Sequence, residues 1–170
     1  MNASNGYALT QVLDVILPKT DTPGASELNI AQFIDSYMDE VAGDKQREEF
    51  KAGANAFALS FKENFDKELE DGEAKDFEKA VAKYLGADEE TRNAYLKRIS
   101  ETQDPEAPEA DFDANAGSYA YLNAVRDLGI WAWKNSEAVG ENVLWYDPIP
   151  GAYLGCISTE EAGGGKTMSL

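Results

Sequence analysis

The sequence predicts an all-α protein: a single compact helical domain of about six helices, closed by an extended C-terminal strap. Three observations carry the prediction. Apolar residues recur at helical spacing in six separate stretches, no stretch alternates as a strand would, and the breakers Pro18, Pro23-Gly24, Gly43, Gly72 and Gly86 fall between the stretches. At 170 residues, 43% apolar and 11% aromatic, the chain suits one domain with its own core. That domain is placed at residues 1–157, and residues 158–170, which contain "GGGKT", are read as a flexible tail.

Residues 7–17 form the first helix, with Leu9, Val12, Leu13, Ile16 and Leu17 apolar and Pro18 ending it. "PKTDTPGASELN" follows as a loop in which Pro23-Gly24 imposes a turn. Asn29 is the expected cap of the second helix, whose Ile30, Phe33, Ile34, Tyr37, Met38 and Val41 fall on one face until Gly43. From Asp44 to about residue 69 a longer helix carries Phe50, Ala54, Phe57, Phe61 and Phe65 at helical spacing, a stripe read as core packing. Two shorter helices, residues 73–85 and 88–100, carry Phe77, Val81, Tyr84 and Leu85, then Tyr95, Leu96 and Ile99. "ETQDPEAPEADFDANAG" is an acidic loop. The last helix, residues 118–134, is apolar nearly all round: Tyr121, Val125, Leu128 and Ala132 on one face, Leu122, Ile130 and Trp133 on the other, and Trp131 on a flank. Such a helix is either the centre of the domain or has a second face completed by another molecule.

Charge and two absences narrow the function. A formal charge of −17, from 32 acidic against 15 basic residues, repels a phosphate backbone, so nucleic acid is not an expected partner. The chain contains no histidine and one cysteine. Histidine-ligated metals and haem, serine or cysteine triads, cysteine-rich zinc sites and intrachain disulfides therefore cannot be built from it. No stretch reaches the roughly 18 to 20 apolar residues of a membrane span, and "MNASNGYALTQ" shows no export signal, so the chain is either cytoplasmic or a form from which a leader was removed.

Motifs that suggest chemistry do not complete it. "DFDANAG" opens like a calcium loop through Asp111, Asp113 and Asn115, but Ala116 stands where glycine is needed and Leu122 where glutamate is needed. "GGGKT" resembles the end of a phosphate loop without the first glycine, the leading strand or the following helix. No pair among the carboxylates is singled out by spacing for acid-base work. Cys156 is either a free thiol packed on the domain or, in an exported protein, half of a disulfide to another chain.

Two stretches carry a resemblance. "VLDVILPKTDTPGASELNIAQFIDSYM", residues 12–38, and "WKNSEAVGENVLWYDPIPGAYLGC", residues 133–156, resemble the opening and closing motifs of the gluconate 2-dehydrogenase subunit 3 family. The closing motif of that family runs from S-E-x-G to Y-D-P-x-P-G-x-Y-x-G-C. Tryptophan at 131 and 133 departs from its commoner tyrosine or phenylalanine, and the family's usual Tat-type leader is not seen.

The resemblance implies a cofactor-free, noncatalytic small subunit of a membrane-associated complex. There a large FAD-dependent subunit oxidises a sugar, sugar acid or alcohol, a cytochrome c subunit bearing haem passes electrons onward, and the small subunit supports assembly and export to the periplasm. The alternative is a free-standing helical binding module for another exported protein or ligand. On the first reading the strap is a docking element. Pro148 and Pro150 stiffen it, and Trp145, Tyr146 and Tyr153 supply apolar area with polar tips. It is expected to pack along the last helix, near Trp133, and to form the partner surface together with the loop Thr20, Asp21, Thr22, Pro23, Gly24, with Cys156 available for a crosslink.

Overall fold

A computed structural model describes residues 2–103, 113–147, 149, 151 and 155–169. Among them are eight α-helices: α1 (Ala3–Ile16), α2 (Ile30–Glu40), α3 (Asp44–Phe65), α4 (Ala74–Leu85), α5 (Glu89–Gln103), α6 (Ala114–Lys134), α7 (Glu137–Asn142) and α8 (Thr159–Gly163). Two short 3-10 turns, Ser26–Leu28 and Leu69–Asp71, join them, and no strand occurs among the described residues. The all-α prediction holds, with α7 and α8 added to the six expected helices.

Polar caps set the helix ends, and they account for most differences from the sequence reading. α1 starts earlier than residue 7 because Asn2 Oδ1 accepts the Asn5 N–H at 2.7 Å. α6 starts at Ala114 because Asp113 Oδ1 accepts from the N–H groups of Asn115 and Ala116 at 2.9 and 3.0 Å. The end of "DFDANAG" is thus the beginning of a helix and not loop, while Asp111 lies outside the described residues. Asn29 does precede α2, but at φ 52°, and its side chain makes no capping bond; it turns the chain out of the 3-10 turn. α3 stops at Phe65, short of residue 69, where Asp66 adopts φ 53°.

α6 is the axis of the bundle and packs on α1, α2, α3, α4, α5 and α7. Its tightest neighbour is α3: a Cβ on Gly117 would lie 2.6 Å from the Ala56 Cβ, so the two backbones approach as closely as a missing side chain allows. Beside this crossing, Ser60 and Ser118 share a hydrogen bond at 2.9 Å, and the Tyr84 hydroxyl lies 2.9 Å from both Ser60 Oγ and Asn115 Oδ1. Lys83 Nζ donates to Asn115 Oδ1 at 3.0 Å. Buried polar groups at the seam are therefore satisfied, which is the condition for keeping them there.

The phenylalanine stripe of α3 is core. Phe50, Phe57 and Phe61 are buried, Phe61 stacks on Phe77 of α4 at 4.8 Å between ring centres, and Phe57 meets Tyr121 at 5.8 Å. α1 adds Leu9, Val12 and Leu13, all buried. Asp76, itself almost fully buried, closes the α4 end by bonding Lys67 Nζ at 2.7 Å and the Glu73 N–H at 3.2 Å. At the α2–α3 corner, Arg47 donates from Nε to the Met38 carbonyl (3.1 Å) and from Nη2 to the Ala42 carbonyl (3.2 Å), satisfying the end of α2.

The segment expected to be a flexible tail is folded. Ser158 and Glu161 make a reciprocal capping box for α8, and Gly164 and Gly165, at φ 62° and 76°, turn the chain back toward residue 145.

Candidate partner-docking surface

The loop after α1 is built by its own polar residues. The Ala25 N–H donates to the Leu17 carbonyl at 2.9 Å, and the Ser26 hydroxyl to Asp14 Oδ2 at 2.7 Å. Glu27 receives the Lys19 ammonium and the Gly24 N–H, and Lys19, then Gly24, hold its carboxyl below the ordinary range. Gly24 is required by crowding: a Cβ there would fall 2.7 Å from the Lys19 backbone nitrogen. Thr20 and Asp21 face solvent, while Thr22 and Pro23 are half-buried.

Trp133 and this loop come together. Its indole Nε1–H donates to the Pro23 carbonyl at 2.8 Å, and its ring packs on the core, half-buried. The structure thus ties Trp133 to the chain's own loop. Trp145 of the strap pairs with the tail. Its N–H donates to the Thr167 carbonyl at 2.9 Å, its carbonyl accepts the Ser169 N–H at 2.8 Å, and its indole sits where a Gly163 side chain would otherwise be. Tyr146 and Cys156 are exposed. Pro148, Pro150 and Tyr153 lie outside the described residues.

A second surface was not anticipated. On α2 the buried stripe is Ile30, Ile34 and Met38, while Phe33, Tyr37 and Val41 emerge from the same apolar set; Phe33 is 41% and Val41 68% exposed. Phe33 and Tyr37 meet Trp131 of α6 with ring centres 5.6 and 5.9 Å apart. Trp131 is 47% exposed, and Ile130 beside it 39%. Three aromatic rings in mutual contact, Phe33 and Trp131 exposed and Tyr37 half-buried against the core, form a ledge at the junction of α2 and the C-terminal end of α6. Below it a cleft of about 380 Å³ opens between α2, α3 and α6. Tyr121 lines that cleft, and burial pushes its phenol up, so it stays neutral.

A family model described as gluconate 2-dehydrogenase subunit 3 matches residues 3–151. The chain belongs to the gluconate 2-dehydrogenase subunit 3 family. No curated protein and no solved structure matches it. Membership makes this chain a subunit of a dehydrogenase complex. The match takes in α1 to α7, the 20–25 loop and the beginning of the strap, and it ends before Cys156 and α8. Among the described residues no helix is long and apolar enough to cross a membrane.

For this subunit the predicted surface residues divide into three groups. Among the described ones, Trp133, Thr22, Pro23 and Gly24 build the loop and its seat, Trp145 is engaged by the tail, and Thr20, Asp21, Tyr146 and Cys156 are open to solvent. Phe33, Tyr37 and Trp131 were missed as surface residues. Their signal was present in the breadth of α2's apolar arc: residues 30, 34 and 38 complete one stripe, and 33, 37 and 41 are a second.

Proposed function

We propose that this chain is the noncatalytic small subunit that assembles with, stabilises and helps export a large FAD-dependent dehydrogenase of sugars, sugar acids or alcohols. The observation that carries the reading is the uncovered aromatic ledge of Phe33, Tyr37 and Trp131 on a member of a dehydrogenase subunit family. Contiguous apolar surface of this kind marks association sites. A chain without histidine and with one exposed cysteine lacks the histidine ligand and the cysteine pair that hold a c-type haem, and on this reading flavin and haem are carried by the partners, the large subunit and a cytochrome c subunit. The complex works at the membrane on the periplasmic side, and Cys156, exposed and free, is available for a disulfide to the large subunit.

Co-expression with a candidate FAD-dependent dehydrogenase subunit from the same organism tests the reading. The expected result is co-elution of the two chains and a several-fold higher yield of folded, exported flavoprotein than when that subunit is expressed alone. Equal yield and export without this chain, or stoichiometric flavin on this chain purified by itself, would overturn it.

A further inference from the structure

Residues 158–169 lie beyond the stretch that the family model matches, and they fold back onto Trp145. The Thr167 carbonyl and the Ser169 N–H take both backbone groups of Trp145, at 2.9 and 2.8 Å, in a single parallel bridge. The Ser169 hydroxyl adds a bond to the same carbonyl at 3.2 Å. Gly163 closes on the ring: a Cβ there would stand 2.6 Å from the indole, so the indole lies directly against the tail backbone. Among the described residues, every hydrogen bond between this tail and the domain runs to Trp145. The attachment is slight. Ser169 is the one buried residue of the segment, and α8, five residues long with none buried, is too short a helix to be stable unaided. Gly163, Gly164 and Gly165 form its turn, the last two at positive φ, and glycine loses more conformational freedom on ordering than any other residue. A segment with so few buried contacts opens at low free energy while the bundle stays folded.

Resting on the reading of this chain as a dehydrogenase subunit whose strap docks, we propose that residues 158–169 are a reversible clasp on Trp145, shut in the free subunit and opened when the FAD-dependent subunit takes the strap. The clasp occupies what a partner would use, the indole face and both backbone groups of residue 145. Tyr146 and Ile149, next along the strap, stay exposed while it is shut, so a partner engages them first and then displaces the tail. Until then the backbone groups of residue 145 are closed to pairing with a stray strand of another chain. The open form is a fraction of the free chain, and that fraction scales the apparent affinity for the partner.

A lock and two releases test the clasp, with the full chain and a candidate FAD-dependent dehydrogenase subunit from the same organism. A Cβ on Gly140 would lie 3.9 Å from the Ser169 Cβ, the separation a disulfide requires, so Gly140→Cys with Ser169→Cys bolts the tail down. Cys156→Ser is the common background, which leaves these two as the only thiols. The oxidised lock is expected to bind the flavoprotein at least about tenfold more weakly than the same protein after dithiothreitol. Ser169→Pro, which removes the N–H given to the Trp145 carbonyl, and Gly163→Ala, which displaces the indole, are expected to bind more tightly than the background. In the free chain, hydrogen exchange at the Trp145 amide should run at least about a hundredfold faster than at Leu122, and slow in the oxidised lock. A lock that binds equally well oxidised and reduced, or release variants that bind no better than the background, would overturn the clasp and leave the subunit reading intact. A Trp145 amide as protected as Leu122 would overturn it without any partner. If neither the background nor the released chains bind the flavoprotein, it is the subunit reading that falls, and exchange alone decides the clasp.

Discussion

Through its N-terminal half one face of α6 is sealed into the core: Gly117 lies against Ala56, Ser118 bonds Ser60, and Leu122 and Val125 have no exposed surface. Toward its C-terminus the same helix offers Ile130 and Trp131 to solvent, with Phe33 and Tyr37 gathered around the indole. The sequence is equally apolar in both places. One end is apolar because the domain surrounds it, and the other because the domain stops short of covering it. Of the two explanations for a helix apolar all round, the first holds for the buried part, while Ile130 and Trp131 are left uncovered by the domain.

Gly117→Val should separate the two ends most sharply. The branched side chain cannot fit beside Ala56, so α3 and α6 must part, at a cost of about 1–3 kcal/mol in urea unfolding. A smaller loss is expected from Asp76→Asn, and its pH dependence is the informative part. Lys67 first, then the Glu73 N–H, hold the Asp76 carboxyl below its ordinary 3.8, while Asp76 raises Lys67 above its ordinary 10.5. A lowered acid stabilises the fold above 3.8 and ceases to do so as pH falls through its folded value. A raised base stabilises below 10.5 and ceases as pH climbs through its folded value. The Tm gap between Asp76→Asn and wild type should therefore be full between those limits and narrow in acid; a gap that persists undiminished in strong acid would refute the assignment. The smallest change is expected for Trp131→Ser, within about 1 kcal/mol of wild-type stability, because the ring is half in water and loses only its contacts to Phe33 and Tyr37. A loss as large as that of Gly117→Val would make Trp131 part of the core and erase the contrast.

Periodicity made the bundle legible. Phe50, Phe57 and Phe61 recur at helical spacing because one face of α3 is buried from Phe50 to Phe61, and that repetition survives in the sequence. Helix ends are less readable, since Asn2 acts through one local hydrogen bond and Asp113 through two, and no repetition announces either. The left-handed Asn29 was hidden for a similar reason: asparagine serves both as a cap and at positive φ, and only the path of the preceding 3-10 turn decides between them. At the candidate surface, the sequence offered two tryptophans two positions apart with no local reason to prefer either. The choice is made by Pro23, 110 positions away, whose carbonyl takes the Trp133 indole N–H and leaves Trp131 outside. A contact at that separation has no trace in the pattern of one helix. The strap's Pro148, Pro150 and Tyr153 fall outside the described residues, so its prediction concerns Trp145, Tyr146 and Cys156 alone.

The Arg47 fork at the α2–α3 corner has a consequence for the pose of the aromatic rings. One side chain from the first turn of α3 holds the Met38 and Ala42 carbonyls together, so the exit of α2 is pinned to its neighbour by a single residue. Phe33 and Tyr37 ride on the helix thus anchored, and loosening that one grip would let them swing away from the indole of Trp131.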